Sequence, residues 1–326
     1  MNRVSPIRRA VRRLVNPIRR ILHRHGFDSI RNHRQTGQLI KALGRCLEHD
    51  SVPLPRIIHL ETRTRCNGRC AFCAASIQTD TRPDVTMSDE LIGRILEDLA
   101  EWGYANRLSI YNNNEPFLDK RIYDIVARAR KALPDAYLEL KSNGMTLNME
   151  KVRHVFNAGL DTLYINDYRE RDLVDKGEHS QNILKIKRTV EASRRYRGHY
   201  AGRKSWSPRV VIDLRDIGEV LDNRAGTAPN GMRITKPLRR SCMRPFEMIS
   251  INPNGLVALC SNDLNFDAPM GDVNRSKLRE IWLSPEYDAV RRRLLAGDRS
   301  VKSTCAECDY SGHTDEILEE YGISPS

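Results

Sequence analysis

Residues 56–73 read RIIHLETRTRCNGRCAFC, and the junction inside this stretch decides the fold. Arg56–Thr62 reads as a buried strand. It runs directly into a loop that holds Cys66, Cys70 and Cys73. Parallel sheets place their chemistry on the loops at the C-terminal ends of their strands. A tetrahedral zinc site or a cubane iron–sulfur cluster takes four ligands. Three thiols therefore leave one position to something else.

Reading outward, strand and helix alternate. Ser88–Trp102 reads as a helix with Ser88 as its N-cap, Arg107–Tyr111 as a strand and Lys120–Ala132 as a helix. Ala136–Lys141 is a strand ended by Ser142-Asn143-Gly144, Met149–Ala158 a helix and Thr162–Asn166 a strand. Ser180–Arg197 is a long helix and Arg209–Leu214 a further strand. This alternation predicts an α/β fold with a parallel sheet and helical crossovers. Near residue 220 the character changes to a loop rich in turn residues. A hairpin over 248–260 follows, turning at Asn252-Pro253-Asn254-Gly255, and then two helical segments, Ser276–Leu283 and Glu286–Ala296.

The chain has 326 residues and a formal charge of +12. Residues 1–34 hold ten Arg and one acid, and the remainder carries 44 basic and 41 acidic side chains. The body is close to neutral, so a basic nucleic-acid-reading face is not expected. No apolar run reaches the roughly 18 residues of a membrane span, and no secretory h-region follows the basic start. Ile7, Val11, Leu14, Val15, Ile18 and Leu22 recur at helical spacing among arginines. This cationic segment suits an anionic membrane surface, an acidic partner or a transit signal; a plain solvated extension accounts for it equally.

Eight cysteines in two clusters and one singleton (Cys46, read as a buried thiol) are too sparse for a secreted disulfide framework. Metal ligation in a reducing cytosol is the expectation. The spacing C-x3-C-x2-C, with Phe72 before the third cysteine, resembles the signature of radical S-adenosylmethionine (SAM) enzymes, and the resemblance extends over about residues 53–310. It implies a [4Fe–4S] cluster on Cys66, Cys70 and Cys73, with SAM on the open iron. Reductive cleavage of SAM then gives a 5′-deoxyadenosyl radical that takes hydrogen from a substrate. The resemblance also implies a partial (β/α)6-type parallel barrel over 53–220, after a basic N-terminal extension at 1–52.

Other strand ends match that family more loosely. Asn113-Asn114-Glu115-Pro116 stands where the family has Gly-Gly-Glu-Pro, which marks Asn113, Asn114 and Glu115 as SAM contacts. Asn tolerates left-handed backbone next best after Gly. Ser142 and Asn143 resemble the family's Thr-Asn-Gly near the methionyl or ribose part, and Asn166 its Ser-x-Asp strand end. Ordinary strand-terminating turns are the alternative at each.

Cys242, Cys260, Cys305 and Cys308 resemble the twitch form of a SPASM/twitch auxiliary-cluster domain, expected as a small α+β unit over 221–326. Four thiols saturate one auxiliary [4Fe–4S] cluster, whose natural role is electron transfer; a zinc ribbon is the other reading of the same spacing. The spacing is similar to that of the family's aminocyclitol (2-deoxy-scyllo-inosamine) dehydrogenase type. Arg215, Arg224, Asn262 and Asp263 are the expected substrate-facing residues. The resemblance implies a small-molecule or peptide substrate and an external one-electron reductant of the flavodoxin or ferredoxin type. Three functions follow: an oxidoreductase or epimerase on a sugar- or cyclitol-like substrate, a peptide-modifying maturase, or a non-catalytic zinc scaffold. The expected location is cytoplasmic, with peripheral membrane contact through residues 1–34.

Overall fold

A computed structural model describes residues 30–192, 198–200, 203–206 and 209–310. The cationic helix expected within residues 7–22 lies outside them. Helix α1 (Ile30–Glu48) belongs to a separate unit from residues 51–312. Its Leu39, Leu43 and Leu47 repeat every fourth residue on one stripe.

Within residues 51–312 the expected alternation is present. Strand β1 (Ile57–Leu60) is followed by α2 (Asp89–Glu101), β2 (Arg107–Ser109) and α3 (Ile122–Ala132). Next come β3 (Tyr137–Ser142), α4 (Met149–Asn157), β4 (Thr162–Arg169), α5 (Arg171–Lys176) and α6 (Gln181–Ala192). A two-stranded ribbon, β5 (Gly198–Tyr200) with β6 (Arg203–Trp206), precedes β7 (Arg209–Asp216). Sequence reasoning did not find the ribbon or α5. Strands β1, β2, β3, β4 and β7 lie side by side and parallel.

The sequence dictates these elements locally. Ser88 caps α2 by accepting from the Leu91 amide, and Asn148 caps α4 by accepting from that of Lys151. Leu91, Ile92, Ile95, Leu96 and Leu99 form the buried stripe of α2. Each such side chain contributes roughly 1.5–3 kcal/mol on full burial. The stripe packs on the outer face of the sheet, where Ile58, Leu108, Leu138, Leu140, Leu163 and Val210 join one core. The residues between them alternate to the inner face: His59 on β1, Ser109 on β2, Glu139 and Lys141 on β3, Tyr164 and Asn166 on β4. That face is largely polar, with Ile57, Met248 and Val211 as its apolar members.

The sheet continues past residue 220. After α7 (Arg244–Glu247), the hairpin strands β8 (Met248–Ile251) and β9 (Leu256–Ala258) form as expected, with Gly255 at φ +88° closing the turn. Strand β8 then pairs in parallel with β1, from Ile57 opposite Met248 to Leu60 opposite Ile251. With β10 (Gly271–Asp272) the result is one eight-stranded mixed sheet, ordered β10-β9-β8-β1-β2-β3-β4-β7. Helices α8 (Leu278–Trp282), α9 (Pro285–Leu295) and α10 (Ser303–Ala306) finish the described chain.

Candidate active site

Cys66, Cys70 and Cys73 converge on the loop after β1. Burial first, then neighbouring charge from Glu115 and Cys73, pushes the Cys66 thiol up to about 11, and burial with Cys73 and Cys66 beside it pushes Cys70 up to about 12. All eight cysteines are free. Gly68 lies between two of them: a Cβ there would stand 3.3 Å from Cys66 Sγ and 3.8 Å from Cys70 Sγ. The Gly68 amide donates to Cys66 Sγ at 3.3 Å. The loop is anchored by Ala71 N–H donating to Ile217 O beyond β7 and by Ser76 Oγ donating to Gly68 O.

The strand ends gather around it. The Glu115 amide donates to Arg65 O, beside Cys66. The Glu115 carboxylate accepts from Ser142 Oγ at 2.9 Å, from the Asn143 amide at 2.8 Å and from the Phe117 amide at 3.2 Å. Burial raises the carboxyl's pKa, and these three donors oppose the shift. Asn143 Nδ2 reaches Asn67 Oδ1 at 2.8 Å and Cys66 Sγ at 3.8 Å. Glu115, Ser142 and Asn143 thus form one clasp on the cysteine loop. Asn114 Nδ2 is buried without a hydrogen-bond acceptor, an orphaned donor suited to a carboxylate. Phe72 packs against Tyr168 with centroids 5.6 Å apart, and the Arg215 guanidinium lies 5.9 Å from its ring. Arg215 also pairs with Glu219 at 2.6 Å. Asn166 donates to Tyr168 Oη at 3.0 Å and leaves its own Oδ1 unpartnered.

Asn113 and Arg224, expected on different ligands, meet each other. Arg224 Nη2 donates to Asn113 Oδ1 at 2.5 Å and to Ser261 O at 2.9 Å. Arg224 holds φ +48°, an uncommon backbone for a non-glycine residue. This bridge joins the end of β2 to the loop after β9. Asn262 Nδ2 lies 3.3 Å from Asp222 Oδ1 and 3.7 Å from Cys308 Sγ. Asp263 accepts from the Asp267 and Ala268 amides, holding its own loop.

Cys242, Cys260, Cys305 and Cys308 form the second set. Every pair among the four is close enough for its charges to interact. Burial first, then the neighbouring thiols, pushes Cys260 up to about 12 and raises Cys305 as well. Arg244 lies near Cys242 and Cys260, and Arg299 near Cys242 and Cys305. The Tyr287 hydroxyl, near Cys260 and Cys305, is buried without a partner. Arg244, Arg299 and Tyr287 were missed at the sequence level because nothing near them in the chain marks them. Lys141 was missed although AYLELK alternates visibly and places it beside Ser142.

The donor chemistry fits iron–sulfur clusters. Three thiols, Cys70 buried and Cys66 and Cys73 half-buried, leave a cubane one open position, and four mutually close thiols leave none. Among the described residues, no three His, Cys, Asp or Glu side chains are grouped as a single metal ion requires. Assembly requires thiolates, so cluster uptake releases protons.

The donor sets therefore fit a protein with two iron–sulfur centres, the first on the loop after β1 of a partial α/β barrel. The radical SAM superfamily matches residues 60–167, and the SPASM iron–sulfur cluster-binding domain matches residues 242–309. The chain thus carries a radical SAM domain and a SPASM domain, and the cofactors these imply are SAM and [4Fe–4S] clusters. It is similar to the S-adenosyl-L-methionine-dependent 2-deoxy-scyllo-inosamine dehydrogenase of Niallia circulans, with 22% identity over 253 residues, 78% of this chain and 92% of the relative. In fold it resembles the crystal structure of BtrN in complex with AdoMet and 2-DOIA, with TM-score 0.62, 22% identity, and 79% of this chain and 94% of that one covered. It also resembles Streptococcus suis SuiB bound to S-adenosylmethionine, with TM-score 0.51, 13% identity, and 77% and 71% covered. Among the described residues no helix is long and apolar enough to cross a membrane.

Proposed function

We propose that this radical SAM enzyme oxidises a hydroxyl-bearing carbon of a small sugar- or cyclitol-like substrate held on the inner face of the barrel. The observation that carries the reading is the second cysteine set, four mutually close thiols with no open position. A saturated centre suits electron transfer rather than substrate ligation. The name of the Niallia circulans relative, a dehydrogenase of an inosamine, supports the same reaction class.

When bound, the first centre supplies a 5′-deoxyadenosyl radical from SAM and the second an electron acceptor. Cys66, Cys70 and Cys73 hold the first, and Cys242, Cys260, Cys305 and Cys308 the second. The Gly68 amide and Asn143 donate to Cys66, which stabilises a thiolate. Glu115 fixes the strand ends, leaving Asn114 to receive the SAM carboxylate. Arg244 and Arg299 place positive charge beside the auxiliary thiols, which favours the reduced state of whatever they ligate. Arg215, Phe72, Tyr168 and Asn166 line the path from the first centre to the inner face. A flavodoxin- or ferredoxin-type donor supplies the priming electron. The Arg-rich residues 1–34 suit an anionic membrane surface, which co-sedimentation with anionic and neutral vesicles tests directly.

Anaerobic reconstitution tests the core of the reading. The wild type should take up about eight irons and a Cys66/Cys70/Cys73 triple-Ala variant about four. About four irons plus one zinc in the wild type would remove the electron-acceptor argument. Cys70→Ala should abolish SAM cleavage. Cys305→Ala should retain SAM cleavage and lose substrate oxidation; equal loss of both, with folding intact, would count against a separate electron-transfer role.

A further inference from the structure

The inner face of the sheet holds a cation that has no hydrogen-bond or ion-pair partner among the described residues. Lys141 is the last inner-facing residue of β3, directly opposite Tyr164 of β4. Its ammonium lies 5.5 Å from the ring centroid of Tyr164 and 5.8 Å from that of Tyr111. Among the described residues it makes no hydrogen bond and no ion pair. No carboxylate among the described residues lies within ion-pair distance of it. Glu139 Oε1 accepts from Ser109 Oγ at 2.5 Å, its Oε2 has no hydrogen-bond partner and lies 3.7 Å from Arg107 Nε, and Asp213 is an exposed residue of β7, two strands away. The charged groups acting on it are Glu139 and Asp213 on one side and Arg215 and Arg107 on the other, and Arg215 is itself paired with Glu219.

A partly buried ammonium between aromatic faces gains some cation–π attraction and loses hydration. Burial correspondingly lowers its pKa. An incoming anion would meet a donor already stripped of water, where a charge-assisted hydrogen bond is strong. The same face offers hydrogen-bonding atoms without partners: His59 Nδ1, Ser250 Oγ and Asn166 Oδ1. His59 pairs with Ser250 across β1 and β8, so two of these atoms are neighbours. Such atoms suit hydroxyl groups, which both donate and accept.

We propose that Lys141 anchors an acidic group of the substrate, so that the inner face selects a hydroxylated carbon skeleton bearing a carboxylate or phosphate. The inference rests on the oxidation of a hydroxylated substrate set out above and narrows it. It also separates this chain from its relative, because an inosamine carries an amine, and an ammonium would face the Lys141 cation.

The test is ligand binding to reconstituted holoprotein with SAM and no reductant, read by equilibrium dialysis. The probes are D-glucuronate, glucose 6-phosphate, glucosamine and myo-inositol. Wild-type protein should bind glucuronate or glucose 6-phosphate at least about tenfold more tightly than inositol, and glucosamine least. Whichever of the two anions binds better identifies carboxylate or phosphate as the acidic group. Lys141→Met should erase the preference, and Lys141→Arg should keep most of it. Unchanged iron content and melting temperature in both variants separate this from misfolding. Inositol bound as tightly as the anions, or a preference that survives in Lys141→Met, would overturn the anchor and leave the hydroxylated-substrate reading standing. No binding of any probe would overturn both.

Discussion

Single residues in this protein carry chemistry that their neighbours in the chain do not announce. His59 is the clearest case for stability. Burial lowers its pKa from 6.5 to about 3, and Arg244, Lys141 and Arg107 push in the same direction. The unfolded chain restores a value near 6.5 and binds the proton more readily. The stability held by neutral His59 is therefore complete above about pH 6.5 and is lost as pH falls toward 3. At pH 5 the loss from this group amounts to about 2 kcal/mol. Glu61 and Glu115, whose carboxyls burial raises, act in the opposite sense as pH falls. The informative comparison is thus between wild type and His59→Gln. The melting temperature of wild type should fall more steeply between pH 7 and pH 5; equal slopes would dispose of the idea. Cys66, Cys70 and Cys73 were legible from spacing because cluster ligation here uses thiols at short intervals, while the second set, spread over residues 242–308, was legible from its resemblance to a twitch domain. His59 and Lys141 were not, because their meaning comes from which strands lie beside them.

At the scale of elements, strand ends matter more than strands. The alternating pattern was legible: every long strand and helix read from periodicity is present, with Ser88 as the N-cap expected of it. What periodicity could not give is the clasp that ties Glu115 to Ser142 and Asn143, since those bonds join loops 27 and 28 residues apart. Nor does it give the ribbon β5–β6, whose short strands have no counterpart in the alternation. The turn that closes β3 makes a sharp prediction. Gly144 holds φ +74°, and a Cβ there would meet Ile165 Cγ2 at 2.8 Å and Ile183 Cδ1 at 2.9 Å. Left-handed backbone strain and overpacking together put the cost of Gly144→Ala at about 2–4 kcal/mol. The variant should melt well below wild type and bind SAM more weakly, because Ser142 and Asn143 must move with the turn. A melting temperature within a degree of wild type would show that β4 and α6 yield easily, and would weaken the view of this turn as a rigid support.

For the whole molecule, the decisive feature is that the sheet crosses the change of character near residue 220. A turn-rich stretch in sequence looks like a border, yet β8 returns to pair with β1, the strand that delivers the cysteine loop. Partner choice between two short apolar strands nearly 200 residues apart is a property of topology, and no local pattern encodes it. The union is reinforced outside the sheet. Trp282 Nε1 donates to Pro53 O at 2.9 Å, Lys277 pairs with Glu101 at 2.6 Å, and Arg224 binds Asn113 at the end of β2. Residues from both sides of 220, among them Ile58, Leu108, Ile249, Val257 and Trp282, share one core. A chain ending at Val220 would therefore open the β1 edge and strip part of that core, leaving unpaired backbone groups and apolar surface together. Such a truncation should bind a hydrophobic dye, unfold without a cooperative transition and fail to retain iron at the first cysteine set, although all three of those cysteines remain. The full chain should instead lose both cluster sites in a single unfolding step. A truncated protein that melts cooperatively and holds about four irons would show that the barrel stands without its second half. In that case the pairing of β8 with β1 would serve to position the auxiliary thiols rather than to complete the fold.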